Sequence, residues 1–132
     1  MSNILVNQLT GNTTDTTIEV FAGHAADSTT RTNLEQGLAK AWVHASGAAV
    51  QDDTFNVSGG VDHGTGDYSH TITNPFNNLN YCQHSTAEGT SADRNATRNS
   101  DRDATSTLAT ETAEAGTKQD TVHMLSAFGD LA

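Results

Sequence analysis

Apolar and polar residues alternate in short runs along most of the chain after residue 40. The runs AWVHAS, VQDDTFNVSGGV, GDYSHTIT and LNYCQHST follow one another, and TSTLATET and DTVHMLSAFGD come later, on either side of AEAGTKQ. The first four runs are bounded by Gly, Asn, Asp or Pro, which is typical of short strands joined by turns. The single proline, Pro75, falls in a connection, where its missing N–H removes no ladder hydrogen bond. The pattern predicts an all-β fold, either a small antiparallel sandwich or a small barrel.

Residues 1–30 show no sustained period. Two short β-prone runs, NILVNQL and TTIEVFAG, are separated by the turn-like TGNTTD. Since two isolated strands are not stable alone, these residues form either a flexible region or an extended N-terminal arm that orders by pairing with a neighbouring subunit. We favour the arm, because its apolar side chains need a contact surface. These predicted arm contacts are Ile4, Leu5, Val6, Ile18, Val20 and Phe21.

Residues 31–40 are the best helix candidate. Leu34, Leu38 and Ala41 fall at helical spacing in RTNLEQGLAKAW, with threonines available as caps. Gly37 weakens the helix by about 1 kcal/mol relative to alanine. We therefore expect one short helix over residues 31–40, leading into a strand at Ala41. This helix opens a β-rich module that runs to the end of the sequence, residue 132.

Residues 85–104, STAEGTSADRNATRNSDRDA, are polar throughout and predict a long exposed loop. Three of the six basic residues of the chain, Arg94, Arg98 and Arg102, are spaced four apart in this segment, with acidic residues between them. One interpretation is a solvated loop with weak local ion pairs. The other is a contact loop whose arginines bind an acidic neighbour or an anionic glycan by bidentate hydrogen bonds.

Composition and charge narrow the function classes. Hydrophobic residues make up 34% of the 132 residues, so the core is small and subunit contacts are expected to supply much of the stability. The formal net charge of -10 repels phosphate backbones and anionic lipid headgroups, which makes nucleic acid and membranes poor partners. The N-terminal sequence has no basic region and no long apolar run, so neither a signal peptide nor membrane insertion is expected. Cys82 is the only cysteine, which excludes an intrachain disulfide.

The stretch VDHGTGDYSH holds two carboxylates, two histidines and two glycines. A calcium site at Asp62 and Asp67 is one interpretation, but the ligand order fails the EF-hand pattern and the twelfth position is a threonine. Gly64-x-Gly66 lacks the third glycine of a dinucleotide fingerprint. The preferred interpretation is a β-hairpin. In it Gly64 and Gly66 take positive φ angles, the two aspartates cap backbone N–H groups, and Tyr68 lies in the second strand.

No catalytic site, metal site or cofactor is expected. Cys82 and His84 share a strand face, but two ligands are too few for zinc unless His63, His70 or a second subunit across a trimer axis completes the site. The preferred interpretation is that Cys82 is a small core residue. Ser, His and Asp are plentiful, yet no Gly-x-Ser-x-Gly turn is present. His70 is expected on the same strand face as Tyr68. His123 is assigned either to a trimer axis or to solvent.

The order of several segments resembles a module of bacteriophage tail-fibre-like and virion-surface proteins. In that family a KAWV strand precedes a hairpin of the type SFNVSS-x-x-DNGTGDYTV, and the chain closes on an apolar strand ending in FG. The matching positions here are residues 40–43, 55–58, 62–68, 80–81 and 128–129. Departures are His63, where the family has Asn, the sequence VHASGAAV, and the long polar segment at 85–104.

The resemblance implies a β-rich, usually trimeric virion module with no catalytic residues to carry over. The length leaves no room for a fibre shaft. We therefore expect a homotrimeric capsid decoration or cement protein, or a short head fibre, that is assembled in the host cytoplasm and contacts the major capsid protein. One alternative is a short tail fibre or receptor-binding tip that recognises a host-surface glycan. Another, of a different class, is a glycan-cleaving hydrolase domain.

Overall fold

The computed structural model describes residues 37–89, 94–99 and 103–132, and the strand backbone at 19–21 and 31–33. All the secondary-structure elements whose two ends lie within these residues are strands, so the predicted all-β class is confirmed. The chain divides into two compact units, Met1–Leu38 and Ala39–Ala132.

In the first unit, β1 (Glu19–Phe21) pairs antiparallel with β2 (Arg31–Asn33). The helix predicted over residues 31–40 is therefore wrong for Arg31–Asn33. Its apolar spacing began only after these residues, and pairing with β1 decides their conformation instead. Two of the predicted arm contacts, Val20 and Phe21, lie in β1. Outside the described residues lie 34–36 of the predicted helix and the arm contacts Ile4, Leu5, Val6 and Ile18.

The second unit has nine strands among its described residues. They are β3 (Ala41–Ala45), β4 (Gln51–Phe55), β5 (Val57–Gly64), β6 (Asp67–Ile72), β7 (Cys82–Ala87), β8 (Arg94–Arg98), β9 (Thr107–Glu114), β10 (Thr117–Lys118) and β11 (His123–Phe128). The order β4-β3-β11-β7 forms a four-stranded antiparallel sheet. The five-stranded sheet has the order β10-β9-β6-β5, and β8 also pairs with β9. The strand predicted to begin at Ala41 is thus confirmed.

The loop predicted over residues 85–104 is wrong where β7 and β8 occupy it. β7 is the last strand of the four-stranded sheet, and β8 pairs antiparallel with β9, with Arg94 opposite Glu114. Neither strand shows an apolar alternation, because edge strands carry polar side chains on much of their surface. The ladder hydrogen bonds to β11 and β9, rather than an apolar face, place these polar segments in the sheets.

The two sheets enclose a core with an apolar part and a polar part. The apolar part draws on β3 and β11 of one sheet, β5, β6 and β9 of the other, and aromatic residues of the connections. Its members are Ala41, Val43, Ala45, Val57, Ile72, Phe76, Tyr81, Leu108, Leu125 and Ala127. The polar part contains the buried side chains of Tyr68, His70, Thr110, Thr112 and His123. The Thr110 and Thr112 hydroxyls donate to the carbonyls of Thr97 and Gln119 at 2.8 and 2.6 Å, so their burial leaves no donor unpaired.

Candidate functional site

The β5–β6 hairpin turns at Thr65 and Gly66, between the paired residues Gly64 and Asp67. Gly64 has a φ of 130° and Gly66 a φ of 65°, and both values lie where glycine is favoured. Asp62 Oδ1 accepts a hydrogen bond from the Gly64 N–H at 2.9 Å. The stretch VDHGTGDYSH therefore builds a tight turn and sets the register of its two strands.

A residue far along the chain also holds this turn. Asp120 Oδ1 accepts a hydrogen bond from the Gly66 N–H at 2.7 Å and lies 3.0 Å from the Tyr68 hydroxyl. Burial, together with the Asp120 carboxylate, raises the pKa of Tyr68 to about 12, so the phenol keeps its proton. Asp67, expected to cap the turn, has its Oδ1 atom 3.1 Å from Asn99 Nδ2. Asp120 was not predicted from the sequence, because no local pattern marks a residue that binds a turn 54 residues away.

His70 and His123 meet in the polar part of the core. Their Nε2 atoms are 2.9 Å apart, and both side chains are fully buried. His70 belongs to β6 of the five-stranded sheet and His123 to β11 of the four-stranded sheet. The Tyr68 ring stacks on the His123 ring, with centroids 4.2 Å apart and planes 15° apart. Neither position expected for His123, a trimer axis or solvent, is correct, because the ring lies inside the core.

Arg94, from the predicted contact loop, binds groups of its own chain. Its Nη1 atom donates to Thr121 Oγ1 at 2.9 Å and to the Glu88 carbonyl at 3.2 Å. Its Nη2 atom lies 3.4 Å from Glu114 Oε2. The side chain therefore joins β8 to the segments that follow β7 and precede β11.

Arg98 is also bound within the chain. Its Nε atom donates to the carboxylate of Asp103, whose side chain is buried, and its Nη1 atom donates to the Tyr81 carbonyl at 3.1 Å. Arg102 lies outside the described residues. Binding of a partner by these three arginines stays a prediction, and Arg94 and Arg98 already have structural contacts.

One face of the four-stranded sheet points away from the core and carries large side chains. Alternation along the strands and their register put Trp42, Phe55, His84, Met124 and Phe128 on this face, together with Cys82. Phe55 is 52% exposed and Met124 is 37% exposed. We call this set the outer face. Exposed apolar residues grouped on one sheet face are typical of an interaction surface.

The register places the outer-face residues side by side. Phe55 on β4 lies opposite Trp42 on β3, Trp42 opposite Ser126 on β11, and Ser126 opposite His84 on β7. This row therefore crosses all four strands without an acidic or basic side chain other than the imidazole. The neighbouring row on the same face consists of Asp53, His44, Met124 and Thr86, and His44 Nδ1 lies 3.1 Å from Asp52 Oδ2. The ring of Phe128 meets the ring of His84 edge to face, with centroids 5.9 Å apart.

Cys82 lies on the outer face, opposite Phe128, and is exposed. Its expected place in the core is therefore wrong. Gln83, the next residue, points inward instead, because its Nε2 atom donates to the Ala109 carbonyl at 2.9 Å. The Oε1 atom of the same amide is buried without a hydrogen-bond partner among the described residues.

The described residues include no group of three or more His, Cys, Asp or Glu side chains placed to hold a metal ion. Within that same part of the chain, no helix is long and apolar enough to cross a membrane. Comparisons with protein-family models, curated proteins and solved structures found no match for this chain. The geometry of the outer face is therefore the main guide to function.

Proposed function

We propose that the protein is a non-catalytic structural protein of a bacteriophage virion. In this proposal it acts as a homotrimer that decorates or cements the capsid shell, or forms a short head fibre. It stabilises or decorates the particle by burying surface between subunits. The observation that supports this function is the outer face, where Phe55 and Met124 leave apolar area in contact with water.

A second copy of the chain is the partner that this face fits best. The whole chain has a formal net charge of -10, so two copies repel wherever acidic surfaces meet. The row from Phe55 to His84 carries no carboxylate, which limits that repulsion, whereas the neighbouring row of the same face places Asp53 opposite His44 and His44 opposite Met124. A chain with 34% hydrophobic residues also gains stability from such a contact.

The resemblance to virion-surface modules supports the proposal that this protein is part of a phage particle. Its segments correspond to β3, to the β5–β6 hairpin and to β11. β3 and β11 are the two central strands of the four-stranded sheet, and their outward side chains include Trp42 and Met124. The matched segments and the outer face thus lie in the same part of the fold.

The oligomeric state tests the subunit contact. Light scattering after size-exclusion chromatography is expected to give three times the 13.9 kDa chain mass. Phe55→Lys and Met124→Lys, which bury a charge in the contact, are expected to give monomers with an unchanged circular dichroism spectrum. Leu79→Lys is the matched control, since Leu79 is 53% exposed in the connection between β6 and β7. A monomeric wild-type protein at micromolar concentration contradicts the proposed homotrimer.

The number of copies per particle tests the role in the virion. Quantitative mass spectrometry of purified particles is expected to give on the order of hundreds of copies for a decoration protein, as expected for a trimer repeated over a symmetric shell. About a dozen copies at the tail, with binding to a host-surface glycan, contradict decoration and indicate a receptor-binding tip.

A further inference from the structure

Two buried histidines join the two sheets of the second unit. His70 and His123 come from different sheets, and their Nε2 atoms are 2.9 Å apart. Their ring centroids are 5.2 Å apart, and neither side chain has any exposed surface. Because water does not reach this contact, its stability depends on which ring nitrogens carry a proton.

The hydrogen bonds fix where each proton lies. His123 Nδ1 is 3.1 Å from the Thr121 carbonyl, which only accepts, so Nδ1 carries a hydrogen. The neutral His123 ring then has a bare Nε2, and His70 Nε2–H donates to it. A further proton on His123 turns the Nε2–Nε2 contact into two facing N–H groups. The contact survives protonation of His123 only if His70 moves its own hydrogen from Nε2 to Nδ1, which is buried without a hydrogen-bond partner among the described residues, so neutral His123 is favoured.

A second proton on His70 is also disfavoured. It would go to Nδ1, which is buried and has no hydrogen-bond partner in the described part of the chain. Gly60 of β5 lies against this atom, because a Cβ built there would be 3.0 Å from His70 Nδ1. The protonated ring would therefore be a buried cation whose new N–H group faces a glycine.

The charged and titratable groups around the pair do not compensate for a cation. From β6, Tyr68 presents its ring face to His123. Burial is the main cause that lowers the pKa of His123; the Thr121 carbonyl acts in the opposite sense, and His44 of β3 adds a smaller lowering. The Asp120 carboxylate is directed at the Gly66 N–H and the Tyr68 hydroxyl. β9 contributes Leu108, which lies opposite His70 and is uncharged.

We propose that the His70–His123 pair is an acid-sensitive contact between the two sheets. It joins them while both rings are neutral and separates them when acid protonates the rings. The module is then stable near neutral pH and loosens in mildly acidic solution. The proposal concerns the second unit alone and holds for a monomer as well as for an oligomer.

The pH window follows from the pKa directions. Burial, and secondarily the charge of His123, lowers the pKa of His70 to about 4, and burial also lowers the pKa of His123. In the unfolded chain a histidine has a pKa of about 6.5. The unfolded state therefore binds more protons between these values, and stability is complete above pH ~6.5 and falls as the pH drops toward ~4.

Thermal unfolding between pH 4 and pH 8 tests the proposal. We expect the wild-type Tm to fall by on the order of 10 °C between pH 7 and pH 4.5. In His70→Gln, the glutamine amide donates to His123 Nε2 without titrating, so the fall is expected to shrink by at least half. His84→Gln is the matched control, because His84 is exposed on β7, and its profile is expected to follow the wild type. An unchanged fall in His70→Gln overturns the proposal.

The ring protons of the wild type supply a second measurement that needs no folded variant. Nitrogen NMR of histidine is expected to show His70 as the Nε2–H tautomer and His123 as the Nδ1–H tautomer at neutral pH, with His70 still neutral at pH 5.5. Protonation of either ring near pH 6.5 in the folded protein contradicts the proposal, whatever the variants show.

Discussion

The guanidinium carbon of Arg98 lies 4.3 Å from the centroid of the Tyr81 ring, over its face. Arg98 ends β8 at an edge of the five-stranded sheet, and Tyr81 precedes β7 of the other sheet. The Tyr81 hydroxyl is 3.0 Å from Asp103 Oδ1, and its ring stacks on Phe76 at 4.3 Å. Burial and the Asp103 carboxylate raise the pKa of Tyr81. Arg98 is therefore part of the packing between the sheets.

We predict that Arg98→Ala lowers the free energy of unfolding by about 2 kcal/mol, because it leaves the buried Asp103 carboxylate without its cation and removes the contact with the Tyr81 ring. Urea denaturation measures the loss. Lys118→Ala is the control, since its pair with Glu111 joins side chains that are 49% and 36% exposed. Its expected loss is under about 1 kcal/mol. Equal losses in the two variants would mean that Arg98 acts only as a surface charge.

Two adjacent glycines in β5 provide a matched pair. A Cβ built at Gly60 overlaps the Ala49 carbonyl oxygen and comes within 3.0 Å of His70 Nδ1. At Gly59 a Cβ meets nothing within 4 Å. We predict that Gly60→Ala lowers the free energy of unfolding by about 2 kcal/mol, because the loop between β3 and β4 has to move. Gly59→Ala is expected to change it by less than about 1 kcal/mol. Thermal unfolding of the two variants checks the difference, and similar values contradict this packing.

The sequence predicted those parts of the fold whose conformation depends on neighbouring residues, such as turns and half-buried strands. Gly64 and Gly66 indicated the hairpin, because backbone positions with positive φ angles favour glycine and can therefore be recognised in the sequence. The alternation around Val43 and Leu125 indicated strands because one face of each is buried. The polar edge strand β8 has no recognisable strand pattern, because its conformation depends on pairing with β9 rather than on its own residues.

The polar part of the core was beyond prediction from sequence for the same reason. His70 and His123 are 53 residues apart in the chain, and Gly66 and Asp120 are 54 apart. Single histidines and aspartates occur throughout this sequence, so nothing marks these four as partners. Only the stacking of one sheet on the other brings them together.

Two aspartates accept hydrogen bonds from glycine N–H groups in the β5–β6 turn, one local and one distant. Asp62 binds Gly64, two residues away, whereas Asp120 binds Gly66 and also lies 3.0 Å from the Tyr68 hydroxyl. We predict that Asp120→Ala lowers the free energy of unfolding by about 1–2 kcal/mol, because it leaves a buried donor unpaired. Asp62→Ala is expected to cost about 0.5 kcal/mol, since water replaces its exposed carboxylate. Urea denaturation that ranks Asp62→Ala as the more harmful change contradicts this assignment.

The reactivity of the Cys82 thiol shows whether another subunit covers the outer face in solution. Its thiol is exposed in the single chain and lies opposite Phe128. If subunits meet through the outer face, we predict that the thiol reacts slowly with a disulfide reagent at high protein concentration. On dilution the rate is expected to rise at least tenfold as the oligomer dissociates, which corresponds to about 1.4 kcal/mol of protection.

The lysine variants decide between the outer face and another contact. Phe55→Lys is expected to react quickly at every concentration, because its subunits no longer cover the thiol, and Leu79→Lys is expected to behave like the wild type. A trimer whose Cys82 reacts as fast as that of the monomer would place the subunit contact elsewhere. In that case the outer face stays open to a different partner, such as the shell or a host-surface glycan.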